Sequence, residues 1–483
     1  MLEQLKNLSR HSVIYGLGSV LNRLLAFILL PIYTRYLTPA DYGIFTLLVI
    51  TGSVAAIISQ LGLGSALFRE VIYHESEDKG AISTALYFLV GEAVVVFSLL
   101  ILVSPQLSSL IFGSLVYTHL LRLTFFTGVL QVLEILFLAR LRIREQSTLY
   151  SAVSVARFLI GAGLNIYFIV VLRLGIAGLV MAKLILSGVF ALVYFVVLMP
   201  DLRFVFSTDM LRRMLAFGAP MVPAGLAELV MVSANRYFLQ HYSTTEEVGL
   251  YSLGYTIGMV MSLVVGSIQL AWPAQMFTIA KQPDAKRQFG RILTYYVMVL
   301  GFIGLSVSVL AHEILVVMTT PDFYRAATVV PFIIIAYIFF GIRNMTNTGL
   351  AIRNKMKYVP PIVITAAALN IGLNFVLIPQ HGMLGAAWAT VVSYLFLVTV
   401  NTAVNLRFWH VPYEYPRLLK VAAAWAIVYG LSLAIPIGNL WVSGGLKIAL
   451  LVCFPVVLFL LRFFKESELD VLKGWLHIDL KKA

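Results

Sequence analysis

Stretches of about 20 predominantly apolar residues recur along this chain, and that is the length an α-helix needs to cross a hydrocarbon core roughly 30 Å thick. Fourteen are predicted, near 13–35, 42–62, 82–103, 120–139, 147–171, 175–198, 216–239, 248–271, 292–312, 328–350, 359–378, 384–406, 418–436 and 446–463. A backbone in lipid has to satisfy its own polar groups, which leaves only helices and closed barrels. A barrel would alternate apolar and polar residues over strands of about ten residues, and these runs do not. With 60% hydrophobic and 12% charged residues, a soluble globular domain is excluded. The expected class is therefore an all-α polytopic membrane protein. The first run is long enough to span and lacks a small-residue cleavage site, so a cleavable signal peptide is not expected. The single cysteine, Cys453, lies within an apolar run, which leaves no disulfide or cysteine metal site.

The basic residues of the connections assign a side. With the N-terminus inside, 25 of the 35 Lys and Arg fall in inner connections, 6 within spans, and only Arg35, Arg173, Arg325 and Lys447 in outer ones. Every inner connection carries at least two basic residues, as the positive-inside rule requires. The expectation is fourteen spans with both termini cytoplasmic. Much of the net charge of +13 is then topological.

Nine charged side chains remain inside the spans: Arg23, Arg122, Arg157, Lys183, Arg236 and Arg343, with Glu92, Glu134 and Glu228. A charge at mid-membrane costs roughly 2.5–3.5 kcal/mol on insertion scales, so such residues normally face a polar interior and mark a pathway. Six bases against three acids suit an anionic cargo.

Two stretches recur. Thr38-Pro39-Ala40-Asp41-Tyr42-Gly43 matches Thr244-Thr245-Glu246-Glu247-Val248-Gly249. Leu164-Asn165-Ile166-Tyr167 with Gly175-Ile176-Ala177-Gly178 matches Leu373-Asn374-Phe375-Val376 with Gly382-Met383-Leu384-Gly385. Both pairs lie six spans apart, an even number, so the halves share one orientation as a parallel repeat. The expected division is an N-lobe at 1–199, a C-lobe at 200–407, two extra spans at 408–464 and an amphipathic cytoplasmic tail at 465–483.

Tyr33-Thr34-Arg35-Tyr36-Leu37-Thr38-Pro39-Ala40-Asp41-Tyr42-Gly43 and the run Leu373 to Thr390 resemble the two ends of the polysaccharide exporter family. That family belongs to the multidrug/oligosaccharidyl-lipid/polysaccharide superfamily and includes Wzx-type O-antigen flippases. The resemblance implies two six-helix lobes and a cationic central cavity opening to alternate sides of the cell's inner membrane. Its cargo would be an oligosaccharide on a polyprenyl diphosphate. Arg23 matches the family's inward-facing arginine of the first helix. Multidrug antiporters of the superfamily instead place an acid there, and this chain has none.

For the diphosphate, Arg23, Arg236, Arg157, Arg122 and Arg343 are the candidate ligands, because a guanidinium stays charged and presents several donors to phosphate oxygens. Some have competing roles: Arg157 as a structural partner of Glu134, Arg122 as a snorkelling residue, Arg343 as a ligand of inner-leaflet phospholipid. Glu228, Glu92 and Glu134 are candidates for ion coupling or for fixed ion pairs. Pro220 and Pro223 remove backbone donors near the start of the seventh span and suit a hinge. No metal or cofactor is expected; an H⁺ or Na⁺ gradient or the membrane potential would drive transport. Expected partners are the polyprenyl-diphosphate-linked glycan, membrane lipids and polysaccharide polymerase machinery, with no nucleic acid, and the chain is expected to act as a monomer. The rival functions are a cation-coupled multidrug exporter and a membrane polyprenyl-sugar ligase or polymerase. An enzyme of the latter kind needs an acid/base or metal site on a large loop, and the connections are too short to hold one.

Overall fold

The structure is a computed structural model and describes residues 27–73, 78–435, 439–466 and Glu468. Every regular element among the described residues is helical, as lipid requires of a backbone without water to bond to. The helices are α1 (Leu30–Tyr36), α2 (Pro39–Gln60), α3 (Leu63–Tyr73), α4 (Asp78–Leu102), α5 (Ser104–Phe112), α6 (Thr118–Ile143), α7 (Ser147–Ile166), α8 (Gly175–Leu198), α9 (Thr208–Gly218) and α10 (Val222–Tyr242). They continue with α11 (Thr245–Gly258), α12 (Met261–Ile279), α13 (Ala285–Val309), α14 (Ala311–Met318), α15 (Val330–Thr346), α16 (Thr348–Ile352), α17 (Val359–Phe408), α18 (Tyr415–Leu433), α19 (Leu440–Leu451) and α20 (Cys453–Leu460).

Among the described residues 11 helical stretches are long and apolar enough to cross a membrane, or 12 if the bent pair α11 and α12, inclined at 43°, counts as one span. The eleventh and twelfth predicted spans run together as α17, but Gly382 breaks it with φ 52° and ψ −131°. Most of the first predicted span and most of the amphipathic tail lie outside the described residues. Several boundaries differ from the sequence reading: the ninth span, expected over 292–312, runs Ala285–Val309, and the last begins at Leu440 rather than near 446. Lys447, expected in an outer connection, lies inside α19, where its Nζ bonds Glu313 Oε1 at 2.7 Å. The helix starts earlier because Asn439 caps it, accepting from the Trp441 N–H, and the buried acid stabilises the lysine.

The chain divides into two compact units. One contains the residues up to Ile257 with Met318–Val329 and Lys357–Leu397; the other contains Gly258–Val317, Val330–Met356 and the chain from Val398 onward. In the first unit α6 packs against α4 and α8. There Phe137 and Tyr194 stack with ring centroids 4.4 Å apart. In the second, α13 packs against α15 and α18, around Phe289, Trp409 and Met276.

The repeated sequences explain local structure. Thr38 and Asp41 form a capping box, each side chain accepting from the other's backbone N–H, with Pro39 in the first turn of α2. That satisfies two helix-start donors that lipid cannot. In the second copy Thr244 accepts from the Glu247 N–H, but the Glu247 carboxylate turns away. It accepts from Ser243 Oγ at 2.8 Å and from the Met383 N–H at 2.9 Å. The first motif thereby fastens the turn of the second, where Gly382 has a positive φ and a Cβ would lie 2.3 Å from Glu247 Oε2. The two copies also touch. A Cβ on Gly249 would lie 1.8 Å from the Pro39 carbonyl oxygen, and one on Gly43 2.3 Å from that of Thr245.

Four of the inner-connection arginines, Arg140, Arg144, Arg213 and Arg417, also hold structure. Asp201 takes Arg140 Nε at 2.5 Å and Arg144 Nη2 at 2.6 Å, and Glu70 takes Arg213 Nη2 at 2.6 Å. At the start of α18, Arg417 binds Glu414 and, from beyond α20, Glu468, each at 2.8 Å, while Lys465 pairs with Glu414. Burial alone would raise Glu414 and Glu468, yet these bonds prevail and hold both below the ordinary carboxyl value of 4.5.

Gly249→Ala should cost about 1–3 kcal/mol or more by overpacking, seen as a lower melting temperature in detergent. Gly163→Ala, where no atom lies within 4 Å of a new Cβ, should melt close to the parent. A depressed carboxylate contributes stability that is full above its unfolded pKa and is lost as pH falls through the folded one. Acidifying below about pH 4.5 should therefore shrink the melting difference between the parent and Glu414→Gln, a convergence readable by scanning fluorimetry.

Candidate functional site

A charge placed among apolar helices has to be answered by an opposite charge, by dipoles or by π faces. The structure distributes the intramembrane charges between these fates. Arg157 on α7 pairs with Glu134 on α6 at 2.5 Å and donates to Tyr194 Oη at 2.8 Å. Its guanidinium also stands 5.9 Å from the Phe190 ring centroid. Glu92 on α4 accepts from Ser59 Oγ at 2.6 Å. Arg122 is exposed and donates from Nε to Ser104 Oγ at 3.0 Å. Lys183 on α8 borders a small cleft with Phe45, Thr124 and Thr127. Arg343, in the other unit, is buried on α15. Arg23 lies outside the described residues.

Arg236 differs from the rest. It is only 5% exposed, and no carboxylate among the described residues forms an ion pair with it. Its Nε donates to Ser252 Oγ at 3.3 Å, and an Nη donates to the Val232 carbonyl. Its guanidinium lies 4.4 Å from the Tyr255 ring centroid and 5.1 Å from that of Tyr251. Cation–π contacts contribute about 0.5–2 kcal/mol, which is less than a buried charge costs. The first unit thus retains a buried positive charge held by neutral groups.

Beside it stands an uncharged polar knot. Asn235 donates to Tyr251 Oη and Thr390 Oγ1, each at 2.7 Å, and to the Ala386 carbonyl at 3.2 Å. Asn374 donates to Asn235 Oδ1 at 2.8 Å and to Asn370 Oδ1 at 3.1 Å. All three asparagines are fully buried, tying α10 and α11 to both arms of α17. The sequence did not single out this knot, because Tyr251 and Thr390 have the spacing of ordinary helix-face residues.

Along α10, Glu228 is exposed while Met231, Asn235 and Arg236 are buried, so the stripe runs from an accessible end into the packed interior. The helix before it, α9, ends at Gly218, and a 3₁₀ turn over Ala219–Met221 intervenes. Pro220 sits in that turn and Pro223 in the first turn of α10. Both prolines lie where the seventh span breaks.

A family model described as "Polysaccharide biosynthesis protein" matches residues 8–273. The chain belongs to the polysaccharide biosynthesis protein family. No curated protein matches it by sequence. Among solved structures, the chain is similar to the lipid II flippase MurJ in an inward closed conformation. That match has a TM-score of 0.72 and 12% identity, and covers 92% of this chain and 99% of the other. It also resembles a variant of the Vibrio cholerae MATE transporter VcmN, at a TM-score of 0.59 and 16% identity over 83% of this chain and 97% of that one. An inward-facing multidrug resistance MATE family transporter of the MOP superfamily matches at 0.59 and 16% identity, over 83% and 96%. At such identities the likeness establishes the fold. Those solved structures are of a flippase and of transporters, and this chain is a multi-pass membrane protein.

Arg157→Ala strands the partly buried Glu134 and should destabilise the protein by about 1–3 kcal/mol. Adding Glu134→Gln should recover part of the loss in a double-mutant cycle of melting temperatures. Additive losses would show that the pair carries no coupling.

Proposed function

We propose that this protein is a flippase that moves a polyprenyl-diphosphate-linked oligosaccharide from the cytoplasmic to the outer leaflet by alternating access through a cationic cavity. The observation that carries the reading is Arg236: a buried guanidinium answered by neutral oxygens and tyrosine rings and by no carboxylate of the described residues. An intramembrane base of that kind marks an anion pathway, and its planar fork suits diphosphate oxygens. Membership of the polysaccharide biosynthesis protein family supports a glycan cargo, and the likeness to a lipid II flippase supports a lipid-linked one.

In this reading Arg23 and Arg236 are the principal headgroup ligands. Arg122 and Arg343 guide the anion towards its exits, and Arg157 keeps its structural partner Glu134. Arg236 is buried in the present state, so capture requires α10 to turn, and the break between Gly218 and Val222 with Pro220 and Pro223 supplies the pivot. The two lobes, 1–199 and 200–407, rock in the cytoplasmic membrane as parts of a fourteen-span monomer with both termini inside, and the polymerase machinery receives the cargo. Glu228 and Glu92, accessible or bonded only to a hydroxyl, are the sites at which H⁺ or Na⁺ would couple. The potential is a sufficient alternative: each negative charge moved outward gains about 2.3 kcal/mol per 100 mV, so a diphosphate with about two charges gains roughly 4.6.

Native mass spectrometry of the full chain with undecaprenyl diphosphate and undecaprenyl monophosphate tests this. Preference for the diphosphate should fall about tenfold or more, equal to about 1.4 kcal/mol or more, in Arg236→Gln and in Arg23→Ala, both still folded. Equal binding of the two lipids, or stabilisation by organic cations instead, would favour the multidrug-exporter reading.

A further inference from the structure

The second unit contains a cavity of about 180 Å³ between α12, α13 and α15 with the start of α16, bordered by Gln269, Trp272, Tyr296, Asn344, Asn347 and Thr348. None of the intramembrane charges lines it. Its lining residues bring three carboxamides and two hydroxyls, those of Thr348 and Tyr296, together with the ring systems of Trp272 and Tyr296 and with aliphatic side chains. Trp272 is fixed in place, its Nε1 donating to Thr348 Oγ1 at 2.9 Å and its ring set edge-on to Phe289 at 5.7 Å.

Two features show that the polar edge is unspent. Asn344 Nδ2 and Asn347 Oδ1 are buried and have no hydrogen-bond partner among the described residues, although a buried amide left unbonded costs about 1–3 kcal/mol. One is a donor and the other an acceptor. In addition, Pro273 lies inside α12 and has no N–H to give the Gln269 carbonyl four residues earlier, which frees a second acceptor at the same wall. Gln269 and Pro273 are exposed, so the cavity opens on their side.

A ligand that suits this wall is neutral, since no charge faces it. It needs hydroxyls that both donate and accept on one edge, and an apolar face to lie against an aromatic ring. Those are the properties of a pyranose, whose ring C–H groups form one surface and whose hydroxyls form the rim. We infer that this cavity is a binding site for one neutral sugar ring, with Asn344, Asn347 and the Gln269 carbonyl recognising hydroxyls and Trp272 lining the ring's apolar face. The inference rests on the flippase reading only for the origin of that ring, a sugar of the lipid-linked glycan. The chemistry of recognition stands without it. It also separates the two parts of the cargo: charge is answered at Arg236 in one unit, and hydroxyls are answered by amides in the other.

The test is saturation-transfer NMR on the full chain in phosphatidylglycerol–phosphatidylcholine nanodiscs, with methyl glycosides of glucose, galactose, mannose, rhamnose and N-acetylglucosamine. At least one glycoside should give a saturable signal. It should weaken about tenfold or more in Asn344→Leu, matching the loss of one buried hydrogen bond. Ile268→Trp, which fills the cavity from its aliphatic wall and removes no polar group, should also abolish the signal. It gives an independent reading should Asn344→Leu fail to assemble. Undecaprenyl diphosphate without a sugar should not displace the glycoside, and its own binding should survive both substitutions. Absence of signal from every glycoside, or a signal unchanged in folded Ile268→Trp, would overturn the sugar site. Retained diphosphate preference alongside that failure would leave the flippase reading intact, whereas loss of diphosphate preference in the parent would remove that reading and leave a glycoside signal to stand alone.

Discussion

Lipid offers no partner to a charge or to a backbone amide, and this constraint organises the protein. The helices satisfy the backbone internally. The ions among the spanning helices are then settled one at a time: Glu134 with Arg157, Glu313 with Lys447. Replacing such buried pairs with apolar residues is often neutral for stability, while breaking one is costly, so the pairs fix which helices meet rather than add net stability. Against that background Arg236 stands out. It is buried, yet the groups it meets include one hydroxyl, a carbonyl and two aromatic rings. In the proposed reading, a site kept electropositive in this way receives the anionic headgroup.

The same constraint explains the glycines and polar turns. Where helices meet backbone to backbone, as at Gly43 and Gly249, interaction is through close packing, and small residues permit it. The two related motifs do not repeat each other in detail. Asp41 closes its own helix start, whereas Glu247 reaches across to the turn at Gly382. Duplicated sequence has here been turned to two different uses, and the second copy joins the two repeated features into one fastening.

Much of the architecture was legible in the sequence because lipid makes apolar length an almost sufficient signal for a spanning helix. The broken helix at Pro220 and Pro223 and the pairing of Arg157 with Glu134 were readable for similar local reasons: missing donors in one case, complementary charges on neighbouring arms of a hairpin in the other. What was not legible depends on distant chain segments. The early start of α19 reflects a lysine drawn in by Glu313, 134 residues away. The polar knot at Asn235 needs Tyr251 and Thr390, which look like ordinary helix residues until three helices converge. The cavity at Asn344 and Asn347 gave no motif at all, since neutral amides carry no pattern that distinguishes a ligand site from packing.

The central claim is that Arg236, a buried positive charge paired with no carboxylate among the described residues, serves the passage of an anionic headgroup. Its most direct test is transport in liposomes containing the full-length protein and an undecaprenyl diphosphate bearing one sugar, with arrival on the far leaflet read by an impermeant lectin. A potassium diffusion potential would be imposed in either direction. The account predicts that arrival accelerates when the receiving side is positive, slows when it is negative, and is lost in folded Arg236→Gln. Arrival indifferent to both the potential and Arg236, or exchange of organic cations for protons in its place, would contradict it.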